Sequence, residues 1–426
     1  MLANGAESRE TTDMLDTVEI VPEPKRVVIT GLGAVTAAGS TTPDFWSALL
    51  EGRSCLSPIA ADTLGVDRDH DINCGRIANY EGPAALPDRV RAQLSRSALF
   101  ALDASIQAIT DAQVSFNPEN AYQVGAIIGT AHPSSDPGAG SDGWAFLSSG
   151  IAGVTTGLNI AGPSFTISAG GASGAIAILH AASLIRAGEL SVAIAGGAEA
   201  PLTPAIGAAY DAAGLLATDS DGEQRPFDLR RSGALLGEGA GVLVLEDREV
   251  ATQRGARIYA ELVGGAQTAG PRADGAPPTD VDISRHAIGD ALRDSAKTPY
   301  EIDLILTAGT GTVAGDKRET DVLERSFGAR VQDLYITAVT PTIGYTIGAA
   351  GALAAIAATL AISEGITPPH ATYAEPDPEC KLDVARKAQP DHLYGSVVNA
   401  YSALGQNASL LIMKHHAETG DTIAVL

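Results

Sequence analysis

The stretch ISAGGASGA, from Ile167 to Ala175, joins a β-like apolar run to a helix-like run through small residues. A turn between a strand and a helix N-terminus is a good place for a nucleophile, because the free N–H groups there favour a nearby anion. In this chain the central position of the turn is Gly171, which carries no reactive group. Ser168 and Ser173 flank it, but a serine nucleophile needs a general base within hydrogen-bond reach.

One histidine outside this turn could act as such a base. His132 lies in the segment GTAHPSS, directly after a β-like run, but a loop histidine that is solvated or packs locally would look the same. The three cysteines, Cys55, Cys74 and Cys380, are too few and too scattered for a disulfide framework or a zinc site. We place them in a surface turn and in polar loops, and we expect no catalytic cysteine, no metal site and a reduced, cytoplasmic setting.

Two glycine-rich segments resemble nucleotide-binding motifs without matching them. RVVITGLGAVTAAG leads a strand into Gly31 and Gly33, but Thr36 stands at the third glycine position. GTGTVAGDK, from Gly309 to Lys317, has GD where a phosphate-binding loop has GK followed by Ser or Thr. Because both motifs depend on their spacing, we predict no nucleotide and no other cofactor.

The chain is strongly acidic, with 51 acidic and 28 basic residues and a formal net charge of -23 at pH 7. Such a charge repels nucleic acid and anionic membrane surfaces, so we exclude both as partners. Arg225, Arg230 and Arg231 form the one local basic patch that we single out. The most apolar run, Ala349 to Ile362, is shorter than the roughly 20 residues that cross a bilayer and predicts a buried helix instead.

Apolar runs that end in glycine or polar residues predict buried strands, and helix-like segments lie between them. The runs are RVVITGL, VGAIIGT, SFTIS, SVAIAGG and GVLVLED. Buried strands that alternate with helices favour an α/β fold with a mostly parallel sheet covered on both faces.

An internal repeat indicates a duplicated unit. Gly174 to Gly188 and Gly351 to Gly365 are equally long, alanine-rich and apolar nearly all round, which is typical of buried helices. Chance likeness between two alanine-rich helices is the alternative. We predict a disordered acidic tail at residues 1–24, a first half at 25–257 and a second half at 258–426.

Seven segments, in order along the chain, resemble the landmarks of the β-ketoacyl-acyl carrier protein synthases over about residues 25 to 415. The longest is RPFDLRRSGALLGEGAG, from Arg225 to Gly241. The others are RVVITGLGAVTAAGSTTPDFWSALLEGRS, GPSFTISAGGASGA, VAIAGGAEAPLTP, GTGTVAGDKRET, IGYTIGAAGALAA and VVNAYSALGQNASL. The resemblance implies the duplicated thiolase fold, which has layers αβαβα and two buried central helices, and this agrees with the internal repeat.

Active members of that family carry a cysteine nucleophile at the strand-to-helix turn, two histidines in the second half and a supporting lysine. The thiolate accepts an acyl chain, and the histidines stabilise the enolate left by decarboxylation of a malonyl unit. The resemblance places the cysteine at Gly171, the histidines at Ala308 and Tyr345, and the lysine at Thr340. Tyrosine, with an ordinary pKa of about 10, is a poor base at neutral pH. We therefore expect no catalytic residue in this chain and no carbon–carbon bond formation by it alone.

Members that lack the cysteine and histidines are similar to the chain length factors, or ketosynthase beta subunits, of type II polyketide synthases. The resemblance implies a heterodimer with an active ketosynthase alpha subunit, whose growing acyl chain extends into an interface cavity that sets product length. Gly171 stands where the aromatic branch usually has glutamine, which favours a system that makes reduced or polyene chains. Because this chain is acidic, we expect the acidic acyl carrier protein to dock mainly on the partner.

Four further positions are candidates for the interface or the cavity. His132, Trp144 and Phe146 lie in a loop that is near the subunit interface in the family, although the two aromatic residues could equally pack onto their own domain. Ala403 takes the place of a gating phenylalanine. Two other functions stay open. One is a divergent homodimeric acyltransferase or malonyl-acyl carrier protein decarboxylase that uses His132, Tyr345 or a serine, and the other is a free-standing acyl-binding module.

Overall fold

The computed structural model describes residues 24–117, 120–133, 147–270, 280–390 and 392–416. The strands are β1 Val27–Val35, β2 Ser57–Ile59, β3 Ile72–Cys74, β4 Val124–Gly129, β5 Ser164–Ile167, β6 Val192–Glu199, β7 Gly239–Asp247, β8 Ala260–Ala269, β9 Leu304–Leu306, β10 Tyr335–Thr337, β11 Ile366–Thr367, β12 Gln389–Pro390, β13 Gly395–Tyr401 and β14 Gln406–Met413. The helices are α1 Thr42–Leu50, α2 Asp88–Arg91, α3 Arg96–Ala112, α4 Ser149–Leu158, α5 Ser173–Arg186, α6 Pro204–Ala212, α7 Arg248–Gln253, α8 Val281–Asp294, α9 Val313–Phe327, α10 Thr340–Ile343 and α11 Ala350–Glu364.

Strand order shows that the two halves share one topology. The large sheet has ten strands in the order β10-β9-β13-β14-β8-β1-β7-β6-β4-β5. The first half contributes β1, β4, β5, β6 and β7, and the second half contributes β8, β9, β10, β13 and β14. From the outer edge of the sheet inward, each half has its third strand first, followed by its second, fourth, fifth and first strands. In both halves the fifth strand is antiparallel to its two neighbours, and the second is parallel to the third and fourth. The predicted duplicated fold is confirmed.

The prediction of a mostly parallel sheet was wrong, because the sheet is mixed. β7 and β14 run against their neighbours, although their apolar sequences resemble those of buried parallel strands. Helices cover these strands on both faces, so the sequence is apolar whichever way a strand runs. Apolar runs therefore indicate burial without indicating strand direction.

Three hydrophobic clusters fill the spaces between the five layers, and the central cluster includes the middle helical layer itself. One lies between the two halves of the sheet and contains α5 and α11. A second lies between the first half of the sheet and α3 with α4, and a third lies between the second half and α8 with α9. The halves are joined in one sheet only where β1 meets β8, at Val28–Glu261 and Ile29–Ala260. The layers are therefore αβαβα, as expected.

The two repeated segments form the central helices α5 and α11, which cross where both are narrow. A Cβ at Gly351 would lie 2.9 Å from the Cβ of Ala175, and a Cβ at Gly174 would lie 3.2 Å from the Cβ of Ala352. α11 is buried until its last turns, whereas α5 exposes His180, so only α11 is apolar on every side. Glycine and alanine at the crossing allow the close approach.

One helix of the described ranges is long and apolar enough to cross a membrane. With the turn before α11 it spans Ile347–Glu364, which is longer than the sequence suggested, and 89% of it is buried inside the protein. This burial is that of a core helix. The predicted division at residue 257 falls between α7 and β8 and stays a prediction, and residues 1–23 of the predicted tail lie outside the described residues.

Candidate functional site

The predicted strand-to-helix turn is present, and the side chain of Ser173 holds it. β5 leads to a 3₁₀ turn, Gly170–Ala172, and α5 begins directly after it. The Ser173 hydroxyl accepts a hydrogen bond from the backbone N–H of Ala169 at 2.8 Å and donates to the carbonyl of Gly170 at 2.6 Å. Gly170 has a φ of +56°, a conformation that favours glycine. Ser173 therefore stabilises the turn and is not a free nucleophile.

Other residues fill the space at the central position of the turn. A Cβ at Gly171 would lie 2.2 Å from the Tyr345 hydroxyl and 2.4 Å from the carbonyl oxygen of Tyr401. The Tyr345 hydroxyl donates to that same carbonyl at 3.4 Å. Burial, reinforced by the nearby Glu199 carboxylate, raises the pKa of Tyr345 above its ordinary value. At neutral pH Tyr345 is a buried neutral phenol whose hydroxyl occupies the space that a side chain at position 171 would need.

The turn at Ala308 is held by a carboxylate that the sequence analysis missed. Glu319 on α9 accepts hydrogen bonds from the backbone N–H groups of Ala308 at 3.0 Å and Gly309 at 3.1 Å, and from the side-chain amide of Asn399 at 3.4 Å. Burial raises the pKa of Glu319 to about 7, against the lowering effect of the backbone hydrogen bonds. Thr340 donates its hydroxyl to the carbonyl of Gly309. Polar groups here position the backbone.

The structure brings the four predicted positions together. Gly171, Ala308, Thr340 and Tyr345 all line one enclosed cavity of about 10 Å³. Such a volume holds at most about one water molecule. The region is thus a packed core rather than an open site. That these positions are the lost catalytic ones stays a prediction.

A larger pocket of about 380 Å³ opens from the surface toward the same cavity. Ala308, Tyr345 and Tyr401 line both spaces, so they form the boundary between them. Ala403 lines the outer pocket, as do the hydroxyl-bearing Thr310 and Thr312. A pocket with a few polar groups on a mostly apolar wall is typical of small-molecule sites.

His132 lies apart from this cavity. Its Nδ1 is 3.6 Å from an oxygen of Glu199, and its ring packs edge-on against Tyr210 with centroids 6.4 Å apart. Glu199 also accepts from the backbone N–H of Ala131 at 2.6 Å. Ser168 donates its hydroxyl to the Ala131 carbonyl at 3.4 Å, so it too bonds to backbone. Trp144 and Phe146 lie outside the described residues.

The three arginines of the predicted basic patch are neutralised by carboxylates. Each makes at least one ion pair, and Arg225 and Arg231 are buried. The pairs are Arg225 with Asp221 and Glu223, Arg230 with Asp228 and Glu375, and Arg231 with Asp316 and Asp377. The local basic patch that the sequence left open is therefore balanced by its own carboxylates.

One cysteine is placed differently from the sequence prediction, which put Cys74 in a polar loop. Cys74 lies on β3 and is buried, and burial raises its pKa to about 12. Cys380 is also buried, while Cys55 is partly exposed beside Arg53. In the ranges that the structure describes, no group of three or more His, Cys, Asp or Glu side chains could hold a metal ion.

The acidic residues of α9 are the functional features that sequence reasoning missed. Asp316 and Glu319 are three residues apart, a spacing that places both on one face of a helix. Both are buried, and carboxylates are rarely buried unless they have hydrogen-bond or ionic partners, as these two do. The spacing within GDKRET could have indicated a shared face, but not that this face is buried.

The layered fold and the strand-to-helix turn at a buried cavity define a thiolase-like protein whose turn lacks a nucleophile. The beta-ketoacyl synthase N-terminal domain matches residues 24–251, and the beta-ketoacyl synthase C-terminal domain matches residues 259–374. The chain belongs to the beta-ketoacyl synthase family. Nodulation protein E of Rhizobium leguminosarum bv. trifolii is 34% identical over 403 residues, which cover 91% of this chain and 98% of that protein.

Two solved structures connect the chain to type II polyketide synthases. The ishigamide ketosynthase/chain length factor has a TM-score of 0.81 and 29% identity, and covers 92% of this chain and 100% of that one. A type II polyketide synthase acyl carrier protein in complex with its ketosynthase bound to the hexaketide has a TM-score of 0.81 and 26% identity, with the same coverage. The predicted β-ketoacyl synthase family and the thiolase fold are confirmed.

Proposed function

We propose that this chain is the non-catalytic subunit of a heterodimeric type II polyketide ketosynthase. In this proposal it pairs with an active ketosynthase alpha subunit and shapes the interface cavity that sets the length of the growing acyl chain. One observation carries the proposal. The space for a nucleophile at Gly171 is occupied by Tyr345, within a cavity of about 10 Å³ that also includes Ala308 and Thr340.

The two serines that flank the turn offer no evident substitute nucleophile in the described structure, which supports the same conclusion. Acyl transfer needs a nucleophile with a base in reach. Ser168 and Ser173 both donate their hydroxyls to backbone carbonyls. His132 has the carboxylate of Glu199 nearby, which is the one observation that favours the divergent-enzyme alternative. No described contact joins the His132 ring to either serine.

The exposed edge of the sheet supports pairing with a second subunit. β5 is the last strand of the sheet, so one of its edges has no neighbour within the described chain. Phe165 on this strand is 38% exposed, and Leu147 just before α4 is also 38% exposed. An edge with apolar side chains is a ready surface for another strand. We infer that the partner subunit packs here.

A small cavity near this edge supports the placement of the acyl chain. It is lined by Ile128, Thr166 and Ala198 from three neighbouring strands, and by His132 and Gly150. No described residue lies within 4 Å of a Cβ built at Gly150. A chain that enters from a partner at β5 would meet these residues first. His132 is therefore a cavity residue in this proposal.

We infer that the acyl carrier protein docks mainly on the partner. The only cluster of arginines that the sequence singled out is neutralised by its own carboxylates, and the chain has a net charge of -23. Like charges disfavour docking of an acidic carrier. Crosslinking the carrier preferentially to this chain would contradict this inference. We expect the pair in the cytoplasm, where the three free cysteines stay reduced.

The nature of the product follows only from Gly171. Glycine cannot offer the side-chain amide that the aromatic branch has at this position, so we keep the prediction of a reduced or polyene chain. Priming by decarboxylation in this subunit is not part of the proposal. Tyr345 leaves no space for the amide.

Co-expression with the ketosynthase encoded nearest to it tests the proposal. We expect size-exclusion chromatography with mass analysis to show a one-to-one heterodimer. Phe165→Glu places a charge on the β5 edge and is expected to abolish it. Tyr300→Glu, at a side chain that is 79% exposed in the other half, is the matched control and is expected to leave it intact. A stable homodimer that ignores the ketosynthase would support the divergent enzyme or the free-standing acyl-binding module instead.

A further inference from the structure

Tyr345 lies at the only boundary that separates the outer pocket from the inner cavity in the described structure. The outer pocket has a volume of about 380 Å³ and the inner cavity about 10 Å³. Ala308, Tyr345 and Tyr401 are the residues that line both. Ala308 has only a methyl group, so the two aromatic side chains provide most of the wall.

The backbone of Tyr345 is fixed on both sides. Its N–H donates to the carbonyl of Leu235 at 2.8 Å, and its carbonyl accepts from the N–H of Gly237 at 3.0 Å. Gly344, just before it, has a φ of +78° and lies against Leu236. The ring is 5% exposed, although a pocket open to solvent adjoins it. These contacts hold the ring across the inner end of the pocket.

Gly171 and the Tyr345 hydroxyl fit each other. A Cβ at position 171 would come within 2.2 Å of that hydroxyl and within 2.4 Å of the Tyr401 carbonyl, to which the hydroxyl donates. The two groups that a side chain at position 171 would meet, the Tyr345 hydroxyl and the Tyr401 carbonyl, are thus hydrogen-bonded to each other. Distances below 3 Å between such atoms are far inside van der Waals contact. The glycine is what allows the phenol to reach this depth.

We propose that Tyr345 is a plug that closes the inner end of the outer pocket and isolates the N-terminus of α5 from any acyl thioester that enters there. The ring closes the passage, and the hydroxyl fixes the ring by its hydrogen bond to Tyr401. In the heterodimer this closure confines chain extension to the nucleophile of the partner. That last role rests on the proposed function, whereas the closure itself does not.

Thiol accessibility on the two sides of Tyr345 tests the closure. Ala354→Cys puts a thiol in the inner cavity, and Ala314→Cys puts one in the outer pocket. Cys55→Ser in all variants removes the partly exposed native thiol. Each thiol is combined with native Tyr345, with Tyr345→Phe and with Tyr345→Ala. Iodoacetamide labelling is followed by peptide mass mapping, and labelling of the buried Cys380, which lies in a different hydrophobic cluster from Tyr345, reports general opening.

We expect the outer thiol to react in all three backgrounds. The inner thiol is expected to stay protected with native Tyr345 and with Tyr345→Phe, which keeps the ring. With Tyr345→Ala we expect its labelling to accelerate at least about tenfold while Cys380 stays protected, because only a local passage has opened.

Two results would overturn the inference. One is equally fast labelling of the inner thiol with native Tyr345 and with Tyr345→Ala. The other is acceleration that Cys380 shares, which would mean that Tyr345→Ala loosens the whole fold. The assay uses the purified chain, alone or in its complex. If the heterodimer forms but the inner thiol is not protected, only the inference about Tyr345 fails. If no heterodimer forms, the proposed function fails, whatever the labelling shows.

Discussion

The surroundings of Arg231 and those of Gly171 differ in how they use charge. Around Arg231, a buried cation is paired with the carboxylates of Asp377 at 2.5 Å and Asp316 at 3.7 Å. Around Gly171, a buried phenol and small side chains fill the space, and Glu319 meets only N–H donors. The ion pairs around Arg231, which we call the charged frame, join segments of both halves, whereas none of the described residues that line the cavity at Gly171 is a cation. Charge therefore fixes the segments around Arg231, and close packing fills the space at Gly171.

Asp228 shows how that frame connects distant segments. Its carboxylate accepts from the backbone N–H groups of Ala374 at 2.8 Å and Glu375 at 2.7 Å, and from Arg230 at 3.0 Å. Burial alone would raise the pKa of Asp228, but these hydrogen bonds lower it to about 2. Asp228 therefore stays ionised and holds the segment before Asp377 against the RPFDLRR loop.

The largest effect should come from breaking the frame. Arg231→Met leaves two buried carboxylates without their cation, and such a loss typically costs about 3–5 kcal/mol of the free energy of unfolding. Urea unfolding followed by circular dichroism measures it. The matched control is Arg293→Met, whose ion pair with Asp290 is exposed. An exposed pair contributes less than about 1 kcal/mol. Equal losses for the two variants would show that the frame does not stabilise the fold.

A smaller loss of unfolding free energy is expected when a side chain is added at position 171. Gly171→Ala places a methyl group within 2.2 Å of the Tyr345 hydroxyl. Overpacking of this kind costs about 1–3 kcal/mol, and two contacts below 3 Å favour the upper end. Tyr345→Phe removes the hydroxyl, so the double variant should lose less stability than the sum of the two single variants. The same unfolding assay measures this coupling, and simple additivity would mean that the two residues are not a matched pair.

The sequence pattern itself indicated the duplication, whereas the candidate site came from the family resemblance. The two central helices were visible because burial on every side makes a sequence apolar on every side. The antiparallel course of β7 and β14 was not visible, since strand direction leaves no mark in an apolar run. The family resemblance named Gly171, Ala308, Thr340 and Tyr345 from separate segments, and the structure brings them to one cavity.

What the sequence could not give was how those residues fill the cavity. That Tyr345 reaches the space above Gly171 depends on the backbone contacts of Tyr345 in a different segment. The pairing of Arg231 with Asp377 likewise joins residues 146 positions apart. Three arginines in a short segment left a basic patch open, and only the folded structure shows that each of them is paired with a carboxylate.

Helix α9 contributes a buried carboxylate to each of the two regions, and the pH dependence of stability tests the difference between these carboxylates. Asp316 faces Arg231 and burial raises its pKa to about 6, whereas Glu319 has no such cation and burial raises its pKa to about 7. The ordinary pKa of glutamate is 4.5, so the folded state binds the proton more tightly than the unfolded state between pH 4.5 and 7. This contribution to stability is fully present below about pH 4.5 and is lost as the pH rises through about 7.

Glu319→Gln cannot titrate and should remove this dependence. Between pH 5.5 and 8, we expect the chain with Glu319 to lose about 2 kcal/mol of unfolding free energy relative to the variant. Urea unfolding at a series of pH values measures the difference, and Glu189→Gln, at an exposed position, should leave the slope unchanged. A difference that instead grows in favour of Glu319 as the pH rises would mean that its carboxylate is stabilised in the folded state. The centre would then contain a charge partner after all, and the contrast with Arg231 would fail.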